Sequence, residues 1–244
     1  MTQIKVCYVK TLEYQLISRA MSAKGKQWAV GDTIDIGWIG GTQSERNFVK
    51  KNAETWLNYA NLKFNWGVPI DRSDVRVAFN KGAGSWSYIG TDAMFVRHTQ
   101  PTMNFGWLDR ATVIHEFGHM LGLKHEHQNP NSGIKWNKQA VIDSLSKPPN
   151  NWSLKEIYHN VLDQADPSKV IAGTFDPKSI MMYFFPSKWT LNGKGFSQNT
   201  RISKKDKEFI GELYPFKGKR NNNENGNRRN WFQRFLDKIK LLFS

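Results

Sequence analysis

The chain has 244 residues, 13% aromatic including ten tryptophans, which is enough for a sizeable core in one large domain or two lobes. A single cysteine, Cys7, excludes an intrachain disulfide framework, and no apolar run is long enough to span a bilayer. The net charge of +14 favours anionic surfaces without naming a partner.

Residues 1–27 read as an N-terminal extension, with a strand at 4–9 and a short helix at 12–22. They lack the basic region, apolar block and cleavage site of a secretory signal, so the expected location is cytoplasmic, or outside by a non-classical route. Cys7 sits in an Ile4, Val6, Tyr8 alternation without a supporting motif and reads as structural or surface. Thr33–Ile39 alternates and predicts a strand closed by Gly40-Gly41. A helix follows from a Ser44 cap to about Asn61, with Val49, Ala53, Trp56, Leu57 and Ala60 on its apolar face. Leu62–Trp66, Val75–Phe79, Ser85–Gly90 and Thr102–Leu108 read as further strands, and the Gly82/Gly84 pair is too poor a match for a phosphate loop.

Asp109 predicts the N-cap of a helix whose core stripe is Val113, Ile114, Phe117, Met120 and Leu121. Its opposite face carries His115-Glu116-Phe117-Gly118-His119, continued to Gly122 and His125, a match to H-E-x-x-H-x-x-G-x-x-H. A chance match to five specified residues in a chain of this length has odds on the order of one in ten thousand, so composition does not explain it. His115 and His119 lie one turn apart on one face and can grip one zinc ion, with Glu116 beside it to take a proton from activated water. Gly122 can adopt a positive φ, end the helix and bring His125 back as third nitrogen ligand. His98 and His159 lack partners at ligand spacing and read as surface residues, and His127 as a structural polar contact.

Asn137 predicts the cap of a helix over 138–146. Ser153 with Glu156, and Ser203 with Asp206, predict capping boxes for two more helices. Between them stands Ser179-Ile180-Met181-Met182-Tyr183. Alone it reads as core packing; beneath a zinc helix, where the resemblance described below would put it, Met181 would offer the imidazoles a soft apolar floor and Tyr183 a phenol for a developing oxyanion. Residues 217–230, rich in Asn, Gly and Arg, read as a disordered basic linker. Residues 231–244 read as a basic amphipathic helix, expected to dock on the protein itself or to contact a membrane surface or a protein. Nucleic acid is disfavoured because the aromatics share one helix face.

Together these features resemble the astacin-type metzincin endopeptidases over about Trp28 to Tyr214. Trp28-Ala29-Val30-Gly31-Asp32-Thr33-Ile34 is similar to their opening strand, and Ser85–Gly90 to their upper-rim edge segment. His125-Glu126 continues the third ligand as in that family, and Ser179–Tyr183 resembles their Met-turn. The resemblance implies an α+β, zincin/metzincin-like two-lobed catalytic domain over 28–216. A mixed twisted sheet and the active-site helix would form the N-terminal lobe, and a mostly helical or irregular lobe would follow. It further implies one Zn2+ per chain on His115, His119 and His125, Glu116 as general base, Tyr183 as switching ligand or oxyanion donor, and a protein or peptide substrate. That substrate would add as a strand to an edge at Trp86, Ser87 and Tyr88. The chain departs from the pattern at Leu123, where Phe is usual, at His127-Gln128-Asn129-Pro130, and in lacking two disulfides. Glu126 is expected to pair with a nearby base. The rival reading is a non-catalytic binding module on a zincin scaffold, targeted by its basic tail; intact Glu116 and Tyr183 weigh against it.

Overall fold

The computed structural model describes residues 8–10, 22–23, 25–148, 150–166, 170–171 and 173–216. The helix expected over 12–22 falls outside these except for its last residue, and so do Cys7, the linker at 217–230 and the helix at 231–244.

Strands β1 (Tyr8–Lys10), β2 (Ser22–Ala23), β3 (Thr33–Ile39), β4 (Lys63–Trp66), β5 (Val75–Ala78), β6 (Trp86–Tyr88), β7 (Met103–Asn104) and β8 (Val170–Ile171) form two sheets. The larger is six-stranded in the order β1-β6-β7-β5-β3-β4, and β2 pairs antiparallel with β8. The large sheet is mixed: β7, β5, β3 and β4 run parallel, whereas β6 is antiparallel to β7. Of Thr102–Leu108 only Met103–Asn104 pairs as strand, because Phe105 and the residues after it turn the chain towards the next helix.

One expectation is corrected here. Trp86–Tyr88 is not a sheet edge: Tyr8–Lys10 lies parallel alongside it, Tyr8 opposite Trp86 and Lys10 opposite Tyr88. An open strand edge presents unpaired backbone groups, and this segment of the same chain takes them up.

Helix α1 (Gln43–Ala53) starts earlier than the expected Ser44 cap would allow. Thr42 is its N-cap, in a capping box with Glu45, and the helix tightens into a 3-10 turn over Glu54–Asn58. Helix α2 (Arg110–Met120) begins at the expected cap, Asp109. In the second half, α3 (Lys138–Leu145) is capped by Asn137, and α4 (Leu154–Ile157) and α5 (Lys204–Leu213) start in the two expected capping boxes.

Two hydrophobic clusters divide the molecule. The first joins the sheet, α1, α2 and α5 through residues such as Ile34, Ile36, Trp56, Val77, Ile114, Phe117, Ile210 and Tyr214. The second gathers α3, α4 and the segment after the Met-turn around Val141, Leu145, Val161, Phe185 and Trp189. Met181 belongs to the first and Met182 and Tyr183 to the second. The α+β, two-lobed architecture therefore has its seam at the Met-turn, and α2 lies along it. Every residue from Ala111 to Met120 is buried, so α2 is covered on its histidine face as well as its apolar one. No helix of the described residues is long and apolar enough to cross a membrane.

Candidate active site

The site is built on the end of α2. Asp109 accepts from the backbone N–H and the hydroxyl of Thr112 at 2.9 and 2.8 Å, fixing where the helix starts and hence which residues face the seam. At the other end Gly122 adopts φ 95°. The Leu123 N–H reaches back to Gly118 O and the Gly122 N–H to His119 O, the paired bonds of a Schellman stop. Two remote side chains hold the last carbonyls: the Trp28 indole N–H donates to Met120 O and the Tyr214 hydroxyl to Leu121 O. The abrupt turn returns His125 to the histidine face.

His115, His119 and His125 come together, with one nitrogen of each within 4.8 Å of the others. The Nε2 of His119 is 3.1 Å from that of His115 and 3.0 Å from that of His125. The Nδ1 of His115 bonds Ile180 O and that of His119 bonds Leu123 O, both at 2.8 Å. A carbonyl only accepts, so each Nδ1 carries the proton and each Nε2 presents a lone pair. Burial pushes the His115 pKa down to about 4 and holds His119 and His125 well below the usual imidazole range. Neutral imidazoles with lone pairs converging on one point repel unless a cation lies between them. An all-imidazole donor set with room for a further ligand suits zinc.

The Met-turn closes the site from the other lobe. Ile180 O orients His115, as above, and Met181 O accepts from the Glu126 N–H at 3.0 Å. The Met181 sulfur packs so closely on α2 that a Cβ built at Gly118 would overlap it. Glycine at 118 is thus the condition for the Met side chain to lie under the helix, a role that the motif reading missed; the small residue between Phe117 and His119 was its one signal. Tyr183 is buried, with its ring centroid 4.1 Å from that of His125 and 5.4 Å from that of His115. Glu116 is fully buried on the same helix.

His98 and His159 are exposed. His127 is buried against the rings of His125 and Tyr183, and its Nε2–H donates to Asn160 O at 3.0 Å, so it joins the site to the second lobe. Glu126 pairs with no base among the described residues. It accepts from the Asp176 N–H at 2.8 Å and the Asn129 amide at 3.1 Å, and burial still pushes its carboxyl up to about 7.

Fold and site define a metzincin-type zinc peptidase: a mixed sheet and an active-site helix facing a Met-turn across three imidazoles. The model of the astacin peptidase family matches residues 21–215, and the chain belongs to that family of zinc metalloendopeptidases. Among solved structures it is similar to myroilysin, 39% identical with a TM-score of 0.76, over 81% of this chain and 99% of that one. It is also similar to high choriolytic enzyme 1, a hatching enzyme zinc-protease from Oryzias latipes (Medaka fish). There the TM-score is 0.53 over 81% of this chain and 94% of that one, and 13% identity makes the likeness one of fold alone. Zinc metalloproteinase nas-24 of Caenorhabditis elegans is 25% identical over 172 residues, which are 70% of this chain and 39% of that protein. The chain therefore spans about two fifths of the length of that relative.

Proposed function

We propose that the protein is a zinc-dependent endopeptidase in which Glu116 is the general base and Tyr183 the oxyanion donor. The observation that carries this reading is the convergence of three buried imidazoles on one point, two of them, His115 and His119, oriented by backbone carbonyls, with Glu116 next to His115 on the same helix. Zinc held there supplies a Lewis acid that activates water near neutral pH and polarises the scissile carbonyl. Glu116, held in place by α2, takes the proton of the attacking water and returns it to the leaving amine. The Tyr183 phenol donates a hydrogen bond to the oxyanion that develops on the carbonyl, its ring kept beside His115 and His125 by the second hydrophobic cluster. Met181 and the Gly122 turn act by position, the first under the helix and the second by returning His125. An extended peptide or protein substrate would add as a strand along Trp86, Ser87 and Tyr88 by displacing Tyr8–Lys10, which pairs there in this structure.

The test is cleavage of a denatured protein by zinc-loaded enzyme, with and without chelator. Wild type should carry about one zinc and lose cleavage on chelation, and Glu116→Ala should keep the metal and lose at least ~10²-fold in kcat. A Glu116→Ala enzyme as active as wild type would falsify the assignment of the base.

A further inference from the structure

Beside the imidazoles lies a cavity of about 180 Å³ that the mechanism above leaves unused. His115 and Tyr183 belong to its lining, so whatever occupies it lies against the reacting bond. Its buried lining includes Ile180, Met182 and Thr112, while Asp109 and Gln198 are exposed at its mouth. Among the described residues no lysine or arginine lines it.

We propose that this cavity seats the side chain of a substrate residue flanking the scissile bond and that it selects lysine or arginine; the proposal rests on the endopeptidase reading. Long basic side chains bury an apolar stem and keep the charged head in water. Here the stem meets Ile180 and Met182, and the head emerges at the Asp109 carboxylate. That carboxylate is fixed, because both its oxygens accept from Thr112. A glutamate or aspartate in the same place meets a like charge at the mouth and no lysine or arginine in the described lining. The N-terminus of α2, which would otherwise attract an anion, is already capped by Asp109. A leucine fills the apolar part and gains nothing at the mouth.

The experiment uses the full zinc-loaded chain and matched quenched-fluorescence peptides carrying Lys, Arg, Leu or Glu at each position flanking the cleaved bond. At one of those positions kcat/KM should rank Lys and Arg above Leu, and Leu above Glu, with about tenfold between the extremes, shrinking at high salt. Asp109→Asn, which keeps a capping side chain, should cut the Lys-over-Glu ratio about fivefold, as befits an exposed charge. Gln198→Lys should cut it without touching the helix cap. Equal or better cleavage of Glu peptides at both positions, or a ratio unmoved in both variants while chelator-sensitive cleavage persists, overturns the selectivity and leaves the endopeptidase reading standing. No cleavage of any peptide by the zinc-loaded chain overturns both.

Discussion

Gly118 shows how one missing Cβ positions two elements. The Met181 sulfur occupies the space a side chain would need, and Trp56 would stand 3.3 Å from a Cβ there. Both neighbours are buried, so neither can retreat freely. Gly118→Ala should destabilise the protein by about 1–3 kcal/mol despite alanine's better helix propensity, and should weaken zinc binding by tilting α2 against the Met-turn. Thermal melts and a competition assay with a zinc chelator read the two effects. Combining it with Met181→Ala should cost less than the two single changes added together, and strict additivity would sink the packing argument. Arg76 is a second position whose role the sequence hides. Fully buried, its guanidinium donates to the carbonyls of Gln100, Ser73, Ala93 and Val96, sewing the loop after β6 to β5. Nothing in the Val75–Phe79 alternation distinguishes that arginine from a solvated one.

Between elements, the Met-turn is held chiefly by α5. Asp206 accepts from the Ser179 hydroxyl, the Ile180 N–H and the Ser203 N–H, so the carboxylate that caps α5 also grips the turn that orients His115. Burial raises its pKa, the first and largest influence, against the three hydrogen bonds that lower it. A carboxyl with a raised folded pKa binds protons more tightly in the folded state than in the unfolded one. Its contribution to stability is therefore full below about pH 3.9, the unfolded value, and is lost as pH rises through the folded value. Denaturant midpoints taken from about pH 4 upward should fall more steeply for wild type than for Asp206→Asn, which does not titrate; parallel slopes would show that Asp206 is not raised. The capping box itself was legible as Ser203 and Asp206 three residues apart. The second use of the same carboxylate, some 27 residues away in sequence, was not.

At the scale of the molecule, the short N-terminal strand lies where the proposed substrate strand would pair. Tyr8–Lys10 pairs parallel to Trp86–Tyr88 and covers the main-chain groups that a substrate strand would use. Among the described residues three residue pairs hold it, and the Lys10 ammonium sits over the Trp86 ring at 3.6 Å as a further contact. Removing residues 1–20, which leaves β2 and the whole family match in place, should raise kcat/KM for a peptide of several residues. A dipeptide reporter substrate that does not reach the strand should change much less. An unchanged or lower value for the long peptide would make β1 an ordinary part of the sheet.

The sequence by itself determined the zinc helix, its stop at Gly122, the three imidazoles, the capping boxes and the Met-turn. Each of these is a local pattern whose spacing matches a helical turn or a tight backbone bend, so neighbours in sequence suffice to read it. The tertiary structure decided what depends on contacts between distant segments. It covered the α2 histidine face with the second lobe, placed Met181 against Gly118, and let Trp28 and Tyr214 take the last helix carbonyls. It also filled the expected open edge at Trp86–Tyr88 with residues from nearly eighty positions earlier. A strand's alternation shows which side chains face inward. Which neighbour satisfies its backbone is settled only when the whole chain has packed.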